Sequence, residues 1–91
     1  MDSKDIERMK ASLDQNHEWP SIYMFKFIVP SDNEKIAQVE ALFNTDTAEL
    51  KMNQSKNGKY TSITAKEVMT SADEVLECYS KAKNIEGLIS L

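Results

Sequence analysis

The sequence is poor in the side chains that most often carry catalysis or bind metals. Its 91 residues include one cysteine and one histidine, and Arg8 is the only arginine. A disulfide within the chain and a cysteine-rich metal site are therefore excluded, and His17 has no serine or cysteine at a spacing typical of nucleophilic catalysis. Cys78 is expected to be a small, partly buried side chain in a helix. We expect no catalytic, metal-binding or cofactor-binding residues, and no enzymatic activity.

Long apolar runs are absent as well. No stretch approaches the ~20 apolar residues that a membrane span needs, and residues 1–5 are too polar for a signal peptide. The formal charge is 11 − 15 = −4, which disfavours nucleic acid and anionic membranes as main partners. These features predict one domain located in the cytoplasm.

Glycine and proline are scarce, so their positions are informative. Asn57-Gly58 separates two runs that alternate apolar and polar residues, 48–53 and 60–65. This pattern predicts a β-hairpin with a type I′ turn. The run 22–29 predicts another strand, which Pro30 ends because proline cannot donate a backbone hydrogen bond.

Two capping boxes of the form Ser-x-x-Glu, beginning at Ser31 and Ser71, predict the starts of two helices. Apolar residues at helical spacing follow each box. They are Ile36, Val39, Leu42 and Phe43 in the first helix, and Val75, Leu76, Tyr79 and Ala82 in the second. Residues 87–91 then predict a short closing strand.

The predicted order is strand, helix, strand, strand, helix, strand. This order indicates an α+β domain of the ferredoxin-like βαββαβ type over residues 19–91, with a four-stranded antiparallel sheet and two helices on one face. Residues 1–18 are interpreted as an N-terminal tail. Ile6, Met9 and Leu13 have helical spacing, so the tail forms either a short amphipathic helix or a frayed end.

Three stretches together resemble the YbeD-like family of small bacterial proteins of unestablished function. They are residues 23–29 after Trp19-Pro20, the Ser-x-x-Gly-x-Tyr-x-Ser pattern at 55–62, and the closing strand. The resemblance covers roughly residues 17–91 and implies a fold similar to ACT regulatory domains. It also implies a regulatory role, with lipoic acid as a suggested ligand, and it supplies no catalytic residues. The turn at 29–33 lacks the glycine at which ACT domains often bind amino acids.

Alternation along the strands assigns the two faces of the predicted sheet. Phe25 and Ile63 belong to apolar sets and are predicted beneath the helices. Met24 and Tyr60 are predicted on the opposite face, which no helix covers. A helix-covered face and an open face are therefore expected.

The open face is the candidate functional surface. Ile22, Met24 and Ile28 cluster there on one strand, so the face either contacts a partner or a second copy, or is an ordinary solvated surface. The candidate contact residues are Met24, Lys26, Lys51, Lys59, Tyr60 and Ser62.

The hairpin lysines support a different hypothesis. Lys51, Lys56, Lys59 and Lys66 make the hairpin basic in an acidic chain. They either bind an anion, such as a small carboxylate, or remain solvated and prevent unwanted strand pairing.

RNA-binding domains of this topology read bases with several aromatic residues on the third strand, and the sequence offers only Tyr60 there. We therefore expect no nucleic acid partner. The preferred function is a non-enzymatic regulatory or protein-interaction module that acts through the open face or an edge strand. The alternative is a sensor of a small carboxylate such as lipoate.

Overall fold

The computed structural model of the protein describes residues 3–91. Its elements are α1 (Ser3–Asn16), β1 (Ser21–Pro30), α2 (Asn33–Glu40), β2 (Glu49–Gln54), β3 (Tyr60–Met69), α3 (Ala72–Ala82) and β4 (Ile89–Ser90). The strands form one antiparallel sheet in the order β2-β3-β1-β4. The predicted α+β class and four-stranded antiparallel sheet are confirmed. From β1 onward the elements follow the predicted order, but α1 precedes them, so the described chain departs from the plain βαββαβ pattern.

Helix α1 occupies most of the segment interpreted as a tail. Ile6, Met9 and Leu13 recur three and four residues apart, and Leu13 packs against the core. An exposed ion pair adds a second link, because Lys10 Nζ lies 3.2 Å from the carboxylate of Asp73 in α3. The helix therefore rests on the domain through two partly buried side chains, Met9 and Leu13, together with this ion pair.

Strands β1 and β3 form the centre of the sheet. They pair over their full length, from Ser21 opposite Met69 to Pro30 opposite Tyr60. Five of their core-facing side chains have no solvent exposure: Phe25, Phe27, Val29, Ile63 and Ala65. Full burial of a large apolar side chain contributes about 1.5–3 kcal/mol, so this face is the main source of stability.

Side chains of α2, of α3 and of the turn after α2 close the core; Leu42 and Phe43, predicted in the first helix, lie in that turn because α2 ends at Glu40. Val39 of α2 and Val75 of α3 are fully buried. The ring of Phe25 lies 5.3 Å from that of Phe43 and 5.2 Å from that of Tyr79, measured between centroids. These distances are typical of favourable aromatic pairs.

The predicted assignment of faces is correct. Phe25 and Ile63 are buried beneath the helices, whereas Met24 and Tyr60 are 57% and 48% exposed on the other side. The alternation that separates apolar from polar residues in the sequence therefore gives the orientation of the sheet.

The predicted type I′ turn is wrong. That turn needs positive φ at both central residues, but in the described chain only glycines, Gly58 and Gly87, have positive φ. The hairpin instead closes with a longer loop, in which the Gly58 N–H donates to the Ser55 carbonyl and the Ser55 N–H donates to the Tyr60 carbonyl. Asn57 stabilises this loop through its side-chain oxygen, which accepts from the Lys59 N–H at 3.0 Å.

The two predicted helix starts have different outcomes. Ser71 caps α3 as expected, since its hydroxyl accepts from the Glu74 N–H at 3.2 Å. The cap of α2 is Asp32 and not Ser31, because the Asp32 carboxylate accepts from the Glu34 N–H at 2.8 Å. Ser31 Oγ instead lies 2.8 Å from the hydroxyl of Thr61, which is buried in β3.

Candidate interaction surface

The strand register defines the composition of the open face. Directly opposed residues of antiparallel strands point to the same side. The face comprises Ile22, Met24, Lys26 and Ile28 of β1, Tyr60, Ser62, Thr64, Lys66 and Val68 of β3, Glu49, Lys51 and Asn53 of β2, Ile89 of β4, and Leu91 after it.

Apolar side chains occupy neighbouring positions on β1, β3 and the β4 end of the open face, with Lys26 between Met24 and Ile28 on β1. We call this set the apolar strip; it consists of Ile22, Met24, Ile28, Val68, Ile89 and Leu91. Ile22 lies opposite Val68, and Ile28 lies opposite Ile89. Except for the partly buried Ile28, each member is more than half exposed, from 52% for Ile89 to 67% for Ile22. Single exposed apolar residues are common, but a group at neighbouring positions is typical of an interaction site.

Charged residues lie in the middle and on the β2 side of the open face. Thr64 of β3 pairs with Lys26 of β1 on one side and with Lys51 of β2 on the other. Two cations therefore lie in one row across three strands. Lys51 Nζ also lies 3.9 Å from a carboxylate oxygen of Glu49, although both side chains are largely exposed. A surface pair of this kind contributes little to stability, so both groups are accessible to a partner.

The structure brings five of the six predicted contact residues onto one face. Met24, Lys26, Lys51, Tyr60 and Ser62 project from the open side of three adjacent strands.

Lys59 lies apart from them, in the loop between β2 and β3. Its backbone carbonyl accepts from the Ser31 N–H at 2.9 Å, and its side chain is exposed. Of the four hairpin lysines, only Lys51 and Lys66 belong to the open face, so the four do not form one cluster.

Three members of the apolar strip were missed by the sequence analysis: Val68, Ile89 and Leu91. Val68 continues the alternation of β3, and it could have been found by extending the predicted strand beyond Ala65. Ile89 and Leu91 belong to the strip only because β4 pairs with β1 in one particular register. That long-range register has no signal in the local sequence.

A cleft of about 430 Å³ opens on the helix-covered side, between α1, α3 and the start of β1. Met9 and Leu13 of α1 form one wall, and Tyr79 and Lys83 form the other. Tyr23 of β1 also lines the cleft, and its hydroxyl is 3.1 Å from that of Tyr79. Burial, followed by this hydrogen bond, raises the pKa of Tyr79 well above its usual value.

A group of aromatic residues lies at the N-terminal end of β1, beside the cleft. His17 stacks on Trp19 at 5.2 Å between ring centroids, and its ring lies 5.5 Å from that of Tyr23. Trp19 Nε1 donates to the Asp14 carboxylate of α1 at 2.9 Å. Both rings are partly buried and satisfied within the chain, which indicates that they join α1 to the sheet.

Cys78 is the only thiol, and it is buried in α3. Burial raises the pKa of this thiol to about 11, and the nearby negative charge of Glu67 adds to the effect. A nucleophilic cysteine needs a thiolate near neutral pH, so this environment favours a packing role. Among residues 3–91 there is no group of three or more His, Cys, Asp or Glu side chains that could hold a metal ion.

Together, these observations define a class: a small α+β domain with one helix-covered sheet face, one open face with an apolar strip, and a cleft beside α1. Residues 14–90 match a family described as "Protein of unknown function (DUF493)", and the chain therefore belongs to this family. The match agrees with the resemblance to small uncharacterised bacterial proteins seen in the sequence. No curated protein and no solved structure matches the chain. No helix within the described residues has the length and apolar character that crossing a bilayer requires.

Proposed function

We propose that this chain is a non-enzymatic regulatory module of the cytoplasm that binds a protein through the open face or an edge of its sheet. The observation that carries this proposal is the apolar strip. Five of its members expose more than half of their side-chain surface, although the same chain buries Phe25 and Phe27 completely. Removing such a strip from water on contact with a partner is favourable by about 25 cal/mol per Å².

The arrangement of strands supports a ferredoxin-like assignment for β1 onward. The sheet order β2-β3-β1-β4 places the two central strands, β1 and β3, between two short edge strands. In this arrangement the helices cover only one face, which leaves the opposite face available for binding. The regulatory role is an extension of this geometry and of the family resemblance.

A charge substitution on the strip tests the proposal. Met24→Asp places a carboxylate in the strip without touching the core, because the Met24 side chain is 57% exposed. Gln38→Asp, at an exposed position of α2, introduces the same charge far from the open face. Tagged full-length proteins would be compared by quantitative capture from bacterial lysate and by light scattering over a range of concentrations.

We expect Met24→Asp, and not Gln38→Asp, to lose binding. Partners or self-association detected with the native chain persist with Gln38→Asp and are lost with Met24→Asp, while both variants melt near the native temperature. If Met24→Asp retains the same partners and the same concentration dependence as Gln38→Asp, the open face is not the contact surface.

A sensor of a small carboxylate is the second candidate. It is favoured by the row in which Lys26 and Lys51 flank Thr64, because two cations beside a hydroxyl suit an anionic group. The test is a thermal-shift screen with carboxylate metabolites, lipoate included, since a bound ligand raises the melting temperature. Lys51→Gln should remove the shift and Lys56→Gln, in the loop, should not. A panel without any shift would reject this candidate.

A further inference from the structure

The sheet has an incomplete edge beside β1. Strand β4 pairs only with Phe27 and Ile28, and the Leu91 N–H donates to the Lys26 carbonyl just beyond it. On its other side β1 is paired with β3 from Ser21 to Pro30. Within residues 3–91, the stretch 21–25 of β1 therefore has no strand partner on the β4 side.

The unpaired backbone groups point outward from this edge. In an antiparallel strand, alternate residues direct both N–H and C=O to the same neighbour. Lys26 directs its carbonyl toward β4, so Met24 and Ile22 direct their peptide groups the same way. The one contact that the structure gives these groups there is weak, from Ser21 Oγ to the Ile22 carbonyl at 3.4 Å. A row of free donors and acceptors is a template for another strand.

The 430 Å³ cleft lies directly beneath this edge. Tyr23 of β1 and Ser90 of β4 both face the helix-covered side, and both line the cleft. The cleft thus occupies the position at which side chains would project from a strand that continued the line of β4 past Leu91. Met9 and Leu13 supply its apolar wall.

Lys83 gives the cleft a distinct charge. It lines the cleft from the end of α3, and within residues 3–91 its ammonium makes no hydrogen bond or ion pair. An acidic group brought into the cleft would meet this unpaired cation beside apolar surface, where charge pairing is stronger than in bulk water.

We propose that the free edge of β1 and the cleft together form a β-augmentation site for an extended acidic–apolar peptide of a partner protein. The peptide runs antiparallel to β1, in line with β4. It exchanges backbone hydrogen bonds with Met24 and Ile22, and its residues opposite Phe25 and Tyr23 project into the cleft, one acidic and one apolar. This inference rests on the proposed interaction function and specifies its edge and its partner chemistry.

Charge favours a separate peptide over a second copy of this chain. Residues 21–30 contain Lys26 and no acidic residue, so β1 of a second copy would bring no carboxylate to Lys83. The backbone edge favours a peptide over a small acyl ligand, because such a ligand fills a cleft and leaves the N–H and C=O groups of Met24 and Ile22 unpaired. Main-chain pairing combined with a pocket for alternate side chains is a recurrent mode of peptide recognition.

The test uses ¹⁵N-labelled protein and the hexapeptide Glu-Val-Leu-Val-Thr-Thr-amide, whose first residue lies opposite Phe25, directly after the position that Leu91 occupies opposite Lys26. Its glutamate and leucine are two residues apart, so both enter the cleft when the intervening valine faces Met24. We expect a dissociation constant below about 1 mM. The amide signals of Ile22, Met24 and Lys83 should shift together, and hydrogen exchange at Met24 should slow.

Control peptides separate the components of the site. Replacing the glutamate with lysine should weaken binding about tenfold, since it places a cation beside Lys83. N-methylation of the valine between the glutamate and the leucine removes the N–H that donates to the Met24 carbonyl, and it should abolish binding without any change to the protein. In the protein, Met24→Pro should have the same effect and Met24→Leu should retain binding; the N-methylated peptide decides the question if Met24→Pro does not fold.

Four results would overturn the inference: no binding of the hexapeptide at 1 mM, shifts confined to other surfaces, equal affinity of the glutamate and lysine peptides, or full affinity of the N-methylated peptide. Concentration-dependent broadening of the Ile22 and Met24 signals without peptide would instead assign the edge to a second copy. Octanoate shifting only the cleft signals, with no peptide binding, would assign the cleft to an acyl ligand. If the peptide fails while Met24→Asp still removes a partner, the interaction function stands and only the edge site is rejected.

Discussion

The two faces of the sheet are built from neighbouring residues with opposite environments. Along β1, Phe25 is fully buried while Met24, one position earlier, is 57% exposed. Phe27 is fully buried, whereas Lys26 is exposed. The covered face is a close-packed aromatic core, and the open face has exposed apolar side chains that no helix covers.

This difference separates residues that maintain the fold from residues available for function. A buried side chain is held by many neighbours, so its substitution is felt throughout the domain. An exposed apolar side chain can change with little effect on folding. The open face can therefore be altered to test binding while the covered face preserves the structure.

The largest effect is expected for Phe25→Ala on the covered face. Removal of this ring leaves a cavity among Phe27, Phe43 and Tyr79, and such truncations cost about 3–5 kcal/mol. Met24→Ala, the adjacent change on the open face, should cost no more than about 0.5 kcal/mol. Urea denaturation of both variants measures the difference. Equal destabilisation would mean that the Met24 side chain is buried in solution.

The thiol of Cys78 provides the second comparison of the two faces. Because its pKa is raised to about 11, the folded protein at pH 8 holds roughly a hundredth of the thiolate of an ordinary cysteine. Reaction with a disulfide reagent should be slower by about this factor than in the unfolded chain, and faster as the pH approaches 11. The double variant Met24→Cys, Cys78→Ser places the only thiol on the open face, where reaction should be rapid. Similar rates for the two thiols would contradict the burial of Cys78.

The local sequence pattern was sufficient to predict which face of each strand is buried. It was not sufficient to predict several features that depend on side-chain contacts or on distant residues. Alternation in β1 and β3 correctly placed Phe25 and Ile63 beneath the helices. The turn was mispredicted because the side chain of Asn57 stabilises a longer loop. The Ser31 cap was mispredicted because its hydroxyl bonds to Thr61, thirty residues away in sequence.

The candidate site shows the same division. Met24, Lys26 and Tyr60 could be assigned to one face from the period of their strands. The free edge of β1 could not be inferred, because it depends on how few residues β4 contributes to the sheet. The cleft required the position of α1, and the sequence left open whether residues 1–18 fold at all.

A third, smaller effect concerns Tyr23 of β1 and Tyr79 of α3, which join the sheet to a helix through their hydroxyls. Tyr23→Phe or Tyr79→Phe removes one partner of the 3.1 Å hydrogen bond and should each cost about 1 kcal/mol. The double variant should cost less than the sum of the single changes, because each single variant leaves one hydroxyl unpaired at a partly buried site. Strict additivity in a double-mutant cycle would show that the two hydroxyls do not interact.

The smallest effect is expected at Glu74, near the solvent at the start of α3. Hydrogen bonds from the side chain and backbone of Thr70 lower the pKa of its carboxyl below the model-peptide value of 4.5. The folded state therefore favours the ionised form: the stabilisation is present above pH 4.5 and is lost as the pH falls through the folded-state pKa. Because the group is accessible to solvent, the contribution should be only a few tenths of a kcal/mol.

Glu74→Gln should remove that part of the pH dependence, measured as the difference in unfolding free energy between pH 6 and about pH 3.5. Glu86→Gln changes the net charge equally at an exposed position between α3 and β4, so it controls for the overall charge of the chain. Tyr79 and Lys83 of the cleft lie at and just after the C-terminal end of α3, so loosening its first turn should leave the 430 Å³ cleft intact and affect only stability. An acid dependence that is unchanged by Glu74→Gln, or reduced equally by Glu86→Gln, would show that the bonds from Thr70 do not favour the ionised carboxylate.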